Sequence, residues 1–257
     1  MKYVRFKQGN QVGFGVLNGK GSIRVLEGAM FDGPRPTNIT VPIADVKLLP
    51  PCDASAMIAL WNNSKVQIAK LNRETPREVL YFLKPRSCLA THGDEIIYPH
   101  GQTERVVMEG ELGIVIGRVC KGISAEEARN YIFGYTVVND VTAQDTVGRD
   151  KTFPQYTRGK GFDTFGIFGP AIETGVNPME LTIQSFLNGE LCQDYPVTDL
   201  AFNPFQIVAL LSHNMTLHPG DIIACGTSLG VQPMSCGDTV EIKIAGIGTL
   251  TNRVALQ

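Results

Sequence analysis

Short apolar runs separated by glycine-containing polar turns recur along most of the chain, and helical spacing is limited to a few segments. The pairs Asn18-Gly19 and Asn188-Gly189 each separate two apolar runs, which predicts a β-hairpin at both places. Asn203-Pro204 supplies an N-cap followed by proline, which predicts a helix over 205–214. Because strands do not alternate regularly with helices, the pattern favours a β-rich α+β fold over a doubly wound sheet.

The proline pair that ends Leu49-Pro50-Pro51 predicts a domain boundary. Residues 1–50 read as a small N-terminal β domain, and residues 51–257 as the main domain. Within the latter, the polar stretch at about 62–79 has helical spacing that Pro76 interrupts. We expect this stretch to form a mobile, partly helical lid.

Two carboxylates stand out in the apolar run Val106–Gly117. Glu109 and Glu111 are two residues apart, so on a strand they share one face while Leu112, Ile114 and Ile116 share the other. Two like charges this close repel each other, and a bound cation would remove the repulsion. An edge strand with a solvated acidic face is the alternative, and this run alone does not separate the two.

Two further charged residues extend this pattern downstream. The apolar run Tyr135–Val138 leads through Asn139 to Asp140, and Lys160 stands between glycines in Arg158–Gly161. Three carboxylates offer hard oxygen donors, which suit Mg²⁺, Mn²⁺ or Ca²⁺ and leave coordination positions for substrate. A nearby lysine would offset negative charge that develops on a bound substrate. The alternative for Lys160 is a surface lysine in a flexible loop.

Composition narrows the classes of partner. The chain has 257 residues, 43% of them hydrophobic and 19% charged, which suits a soluble globular protein. A net charge of -2 gives no reason to expect nucleic acid or an anionic membrane as partner. Neither a signal peptide nor a bilayer-spanning run is evident, so we expect a cytoplasmic protein. The six cysteines include no CxxC pair, so neither a zinc site nor a redox motif is supported.

An ordered set of motifs makes the chain resemble the fumarylacetoacetate hydrolase superfamily. These motifs are Glu109-Gly110-Glu111-Leu112, Asn139-Asp140-Val141-Thr142-Ala143, Gly159-Lys160-Gly161-Phe162-Asp163-Thr164-Phe165-Gly166, Asn188-Gly189-Glu190, Pro219-Gly220-Asp221-Ile222-Ile223 and Cys225-Gly226-Thr227. The resemblance implies a rolled mixed β-sandwich and a homodimer. It also implies a Mg²⁺ or Mn²⁺ ion held by Glu109, Glu111 and Asp140, with Lys160 and Thr227 contacting a small 2-oxo acid. Gly226 belongs to the same motif as Thr227 and is a further substrate-binding candidate, and Gln144 is a candidate to line the pocket.

The lid departs from the family pattern. Aligning Ile58–Ser64 on the family's lid strand places Lys65 where relatives carry a catalytic histidine, which makes Lys65 a catalytic candidate beside Lys160. A lysine acts as a base only if its pKa is depressed, and Glu74 or Glu78 are alternatives.

Three functions remain open from the sequence. The leading one is a divalent-metal-dependent hydrolase that cleaves a C–C bond in a 2-oxo or β-diketo acid, such as an acylpyruvate or a fumarylacetoacetate-like acid, through a metal-stabilised enolate. The second is a decarboxylase or isomerase of an unsaturated oxo-dicarboxylate in the degradation of aromatic compounds. The third is a non-catalytic relative that binds a metabolite.

Overall fold

The N-terminal unit is an antiparallel meander that curls on itself. The computed structural model describes residues 1–256 of the chain. Its first five strands are β1 (Lys2–Gln8), β2 (Gln11–Asn18), β3 (Ser22–Glu27), β4 (Arg35–Pro42) and β5 (Lys47–Leu49). β2 and β3 form the hairpin predicted at Asn18-Gly19, and the Asn18 side chain accepts hydrogen bonds from the backbone of Lys20 and Ser22 at 3.1 Å.

Residues 52–256 are also strand-rich and contain four short α-helices. Their elements are β6 (Met57–Trp61), α1 (Lys65–Lys70), β7 (Leu80–Lys84), β8 (Leu89–Ala90), β9 (Glu95–Tyr98), β10 (Val106–Met108), β11 (Gly110–Ile116), β12 (Ile132–Asp140), β13 (Thr142–Ala143), α2 (Gln144–Val147), α3 (Tyr156–Lys160), β14 (Gly166–Glu173), β15 (Thr182–Leu187), β16 (Glu190–Pro196), α4 (Pro204–Asn214), β17 (Ile222–Ala224), β18 (Gln232–Pro233), β19 (Thr239–Ile244) and β20 (Gly248–Leu256). Short 3₁₀ turns lie at Ile43–Asp45, Arg86–Cys88, Ala128–Asn130, Pro178–Glu180 and Val197–Asp199.

Two sheets enclose the main core. The large sheet has the order β4-β3-β2-β1-β14-β12-β11-β17-β6-β7, with β5 and β8 attached, and the second has the order β16-β15-β19-β20-β9. Most neighbours are antiparallel, whereas β14–β8, β17–β6 and β20–β9 are parallel. Apolar side chains from β11 and β12 meet those of β15 and β19 between the sheets. The predicted β-rich α+β class and the rolled mixed sandwich are confirmed.

The N-terminal strands continue the large sheet. β1 pairs with β14 in the register Tyr3↔Ile172, so no break separates the meander from the central strands. The rings of Tyr3 and Phe31 each stand edge-on to Phe133, with ring centroids 4.9 Å apart. Residues 1–51 are thus docked by both backbone pairing and aromatic contacts.

The predicted helix over 205–214 is present as α4. Asn203 and Gln206 form a reciprocal capping box at its start, with Pro204 at the first helical position. The hairpin predicted at Asn188-Gly189 is formed by β15 and β16. Within residues 1–256, no helix is both long enough and apolar enough to cross a membrane.

Candidate metal centre

The apolar run that carries the two glutamates is divided into two strands at Glu109. β10 ends at Met108 and β11 begins at Gly110, so Glu109 stands at the break while Glu111 lies within β11. Leu112, Ile114 and Ile116 pack into the core between the sheets, as their parity predicts. The two carboxylates therefore face away from that core, and burial of Glu111 excludes the solvated acidic strand.

Asp140 is brought to the same place by its position at the end of β12. Its backbone N–H donates to the Glu109 carbonyl at 2.9 Å, next to the pair Gly110↔Asn139. Carboxylate oxygens of Glu109, Glu111 and Asp140 lie within 4.8 Å of one another. Opposite ligands of a Mg²⁺ ion stand about 4.2 Å apart, so these oxygens are close to the spacing of a single coordination sphere.

Lys160 is the last residue of the short helix α3, and its side chain is only 5% exposed. Its ammonium donates to Glu109 Oε2 at 2.8 Å and to Asp140 Oδ2 at 2.5 Å. Burial alone would lower the pKa of Lys160, but the nearby carboxylates outweigh burial and raise it. Lys160 therefore stays protonated, and the alternative of a flexible surface lysine is excluded.

A second lysine, Lys84, was missed by sequence reasoning. It ends the edge strand β7, its side chain is fully buried, and its ammonium donates to Asp140 Oδ1 at 2.5 Å. Burial would raise the pKa of Asp140, but Lys160 and Lys84 together hold it below its usual value. The alternation of side chains along the strand could have indicated Lys84, because Lys84 lies two residues after the buried Phe82 and therefore on the same face.

Among the three carboxylates of the cluster formed by Glu109, Glu111 and Asp140, that of Glu111 has incomplete hydrogen bonding. Its Oε2 accepts a hydrogen bond from the Gly226 N–H at 2.7 Å, whereas Oε1 is buried and has no hydrogen-bond partner among the described residues. Burial, and then repulsion from Asp140, raise the pKa of Glu111 well above its usual value. A buried carboxylate oxygen without a donor is costly, so these residues fit a bound cation.

The charges around the cluster are almost balanced. Three carboxylates and two lysine ammonium groups leave a single excess negative charge. A divalent cation would change this to a single positive charge, which favours an anionic ligand.

A cavity of about 330 Å³ opens beside the cluster. The cavity is lined by one carboxylate of the cluster, Glu109, and by three further predicted site residues, which are Lys160, Thr227 and Gln144. Gly226 contributes its N–H to Glu111, as described above, and its backbone has a φ of 95°, in the left-handed region that favours glycine.

The predicted lid contains α1, whose buried residue is Ile68, and Gln67 of the same helix is one of the residues that line the cavity. Ser64 caps the helix through a hydrogen bond from the Gln67 N–H, and the Gln67 side chain lines the cavity. Lys65 is exposed and its ammonium donates to the Thr198 carbonyl at 2.9 Å, so the structure does not bring Lys65 to the cavity. Two residues along a helix correspond to about 200° of rotation, which explains why the alignment selected the outward-facing side. Glu74 and Glu78 are also exposed.

Two buried residues of β16 connect the cluster to the 226–228 loop, and sequence reasoning missed both. The Gln193 side chain accepts from the Gly110 N–H at 3.0 Å and donates to Thr227 Oγ1 at 2.9 Å. The Tyr195 hydroxyl donates to the Gly110 carbonyl at 2.7 Å. Gly110 lies between the two glutamates, so β16 fixes their backbone relative to Thr227.

Comparison with protein families assigns this architecture. A family model described as fumarylacetoacetate (FAA) hydrolase C-terminal matches residues 52–255. The chain belongs to the fumarylacetoacetate hydrolase family. A second model, described as Rv2993c-like, N-terminal, matches residues 1–51 and adjoins the fumarylacetoacetate hydrolase match.

Proteins that are similar to this chain in sequence or structure have several different activities. The 2-hydroxyhepta-2,4-diene-1,7-dioate isomerase of Mycobacterium marinum is 38% identical with a TM-score of 0.91, covering 100% of this chain and 99% of its own. Oxaloacetate tautomerase YisK of Bacillus subtilis is 34% identical over 82% of this chain and 74% of its own. Maleylpyruvate hydrolase of Sphingobium sp. SYK-6, solved with manganese(II) and pyruvate, is 27% identical with a TM-score of 0.81, covering 100% of this chain and 99% of its own.

Proposed function

We propose that this protein is a divalent-metal-dependent isomerase that moves a proton on the enol form of a 2-oxo acid. Glu109, Glu111 and Asp140 would hold Mg²⁺ or Mn²⁺. The observation that supports this assignment most directly is Glu111 Oε1, which is buried and has no hydrogen-bond partner in the described part of the chain. The bound ion would supply Lewis-acid stabilisation of negative charge on the oxygens of the oxo acid. The manganese ion and pyruvate in the related maleylpyruvate hydrolase support the same ligand class.

The cavity wall supplies proton donors rather than a base. Lys160 is protonated, and burial raises the pKa of the Tyr156 phenol, so it also keeps its proton. Both residues line the cavity, so either can give a proton to carbon while the enol hydroxyl proton leaves to solvent, and solvent then reprotonates the donor. Thr227 Oγ1 and the Gln144 side chain complete a wall that orients the acid.

The absence of a water-activating group favours isomerisation over C–C hydrolysis. Hydrolysis needs a base for water, most often a histidine or a free carboxylate. Along the described chain, no histidine lines the cavity, and its one carboxylate, Glu109, is bound by Lys160. The isomerase and tautomerase relatives agree with this choice, whereas hydrolysis is the second candidate because of the similarity to maleylpyruvate hydrolase.

The test is an ultraviolet assay of enol disappearance on a panel of 2-oxo acids, with products identified by mass spectrometry. We expect turnover that chelator abolishes and Mg²⁺ restores, and an isomer rather than two fragments as product. Glu111→Gln should lower activity by about 100-fold or more, because residues behind metal ligands already cost about 10- to 100-fold.

The matched control is Glu190→Gln, an exposed glutamate in the second sheet, which should leave activity unchanged. Calorimetric titration with Mg²⁺ would show weakened metal binding in Glu111→Gln alone. Full activity in the presence of chelator would refute the metal assignment. Product fragments that contain an oxygen atom from water would show that the reaction is hydrolysis and not isomerisation.

A further inference from the structure

A second cavity, of about 430 Å³, lies where the pairing of β12 with β14 ends. The last pair between these strands is Tyr135↔Glu173, although β12 begins three residues earlier at Ile132. The space beside the unpaired start of β12 is bordered by the 3₁₀ turns that precede β12 and β15 and by the start of α4. None of its lining residues lines the cavity at the metal centre. Tyr135 and Asp140 are five positions apart on β12, so the two sites are about 17 Å apart along the strand.

The wall of the second cavity combines apolar side chains with one enclosed phenol. The apolar part is supplied by Ile132, Val176, Pro178 and Phe205. Tyr135 also lines the cavity and is only 6% exposed, and its hydroxyl makes no hydrogen bond within residues 1–256. Burial raises the pKa of this phenol, so it keeps its proton and remains a donor. A tyrosine hydroxyl that is enclosed to this degree usually has a hydrogen-bond partner, so a ligand that brings an acceptor would complete the site.

The charge of the wall comes from Arg129, and no carboxylate lines this cavity in the described part of the chain. The Arg129 guanidinium stands over the Phe205 ring, 5.1 Å from the ring centroid. The carboxylates of the two bordering turns are engaged elsewhere, because Glu127 accepts from a backbone N–H at 2.9 Å and Glu180 accepts from a side-chain amide at 2.8 Å. A guanidinium that is stacked on an aromatic ring and has no carboxylate beside it suits a carboxylate ligand.

We infer that the second cavity is a binding site for a small acid that has one carboxylate and an apolar body. The carboxylate lies between the Arg129 guanidinium and the Tyr135 hydroxyl, and the apolar body packs against Ile132 and Phe205. A single carboxylate matches the single cation of the wall, whereas a second charge would be buried against apolar side chains without a partner. The inference is independent of the proposed function, because it uses none of the residues at the metal centre.

The experiment uses benzoate as the probe and benzamide as the comparison, since benzamide has nearly the same shape without the charge. Saturation-transfer NMR of the full chain should detect benzoate, and titration gives its Kd. Arg129→Gln should raise this Kd by about 10- to 100-fold, the range for losing a hydrogen bond to a charged group. Tyr135→Phe should raise it by about 2- to 10-fold, as expected for a neutral donor. Neither substitution should change the weaker binding of benzamide by as much.

Arg118→Gln is the matched control, because Arg118 is an exposed arginine just after β11 and lies outside the cavity wall. Arg129 is exposed as well, so neither substitution disturbs the core. Arg73→Gln identifies binding at the metal centre instead, since Arg73 stands over Trp61 at 4.9 Å in the wall of that cavity.

The expected result is that benzoate binding is weakened by Arg129→Gln and unchanged by Arg118→Gln and Arg73→Gln. The inference is overturned if the unmodified protein binds benzoate and benzamide equally, or binds neither at millimolar concentration. It is also overturned if Arg73→Gln weakens benzoate binding while Arg129→Gln does not, because the probe would then occupy the cavity at the metal centre.

Discussion

Glu111 shows at the scale of one residue how burial and charge prepare a ligand site. Its carboxylate is fully enclosed, one oxygen accepts a hydrogen bond from the Gly226 N–H, and the other has no partner within residues 1–256. Burial and the Asp140 charge raise its pKa well above the usual 4.5. A proton on Glu111 therefore competes with a cation for the same oxygen.

This competition predicts a pH-dependent stabilisation by metal. An acid with a raised pKa in the folded state contributes stability when protonated, and this stability is lost as pH rises through the raised pKa. Metal binding requires the deprotonated form, so its affinity rises over the same interval. The gain in Tm on adding Mg²⁺ should be larger at pH 8 than at pH 6 in thermal denaturation.

Glu111→Gln serves as the comparison, because the amide cannot titrate. Its metal-induced gain in Tm should be small and nearly the same at both pH values. A gain in the unmodified protein that is equal at pH 6 and pH 8 would contradict the assignment of Glu111 as the competing group.

At the scale of elements, the lid helix α1 is tied to the 226–228 loop through one buried carboxylate. Asp199 Oδ2 accepts from Ser64 Oγ at 2.6 Å and from Ser228 Oγ at 2.8 Å, and Asp199 Oδ1 accepts from the Val66 N–H at 3.0 Å. Ser64 caps α1, while Ser228 follows the cavity residue Thr227. Asp199 therefore sets the distance between the two sides of the cavity.

Loosening this connection should affect ligand binding more than chemistry. Asp199→Asn removes an acceptor from a buried cluster, at a cost of about 1–3 kcal/mol in the free energy of unfolding. We expect KM to rise by about 10-fold with a smaller change in kcat, since a loss of about 1.4 kcal/mol in binding is tenfold. Steady-state kinetics and urea denaturation measure the two effects.

Ser124→Ala is a suitable control, because Ser124 caps a surface turn far along the chain from α1. It should change neither KM nor kcat. An unchanged KM in Asp199→Asn would show that the lid position does not depend on this carboxylate.

The sequence pattern predicted the strands and hairpins well because each depends on local alternation and turn residues. It placed Glu109 and Glu111 on one face, the family resemblance added Asp140, and the structure brings the three carboxylates together. It did not find Lys84, Gln193 or Tyr195, because polar residues in short strands look like solvated positions until the covering layers are known. The lid was misaligned for a related reason: the rotation of α1 is set by Ser64 and Asp199, which lie 135 residues apart.

At the scale of the whole molecule, one sheet joins the N-terminal meander to the strands of the metal centre. β1 pairs with β14, which pairs with β12, the strand that ends at Asp140. The aromatic contacts of Tyr3 and Phe31 with Phe133 add a second attachment. The two matched segments therefore share a core and should unfold together.

Calorimetry should show one unfolding transition for the full chain. Phe31→Ala removes an edge-on aromatic contact of about 0.5–1.5 kcal/mol together with part of its apolar burial. That transition should move down by about 2–4 °C for each kcal/mol lost, without splitting. Two separate transitions, with only the lower one sensitive to Phe31→Ala, would show that the meander folds independently.

Trp61 is the single tryptophan of the chain, and it stands in the cavity wall between Arg73 and Tyr156. Its fluorescence therefore originates at one known position, and a molecule that enters the cavity changes the surroundings of that indole directly. The protein carries its own optical probe, so candidate metabolites can be ranked by titration in a cuvette before any product is known.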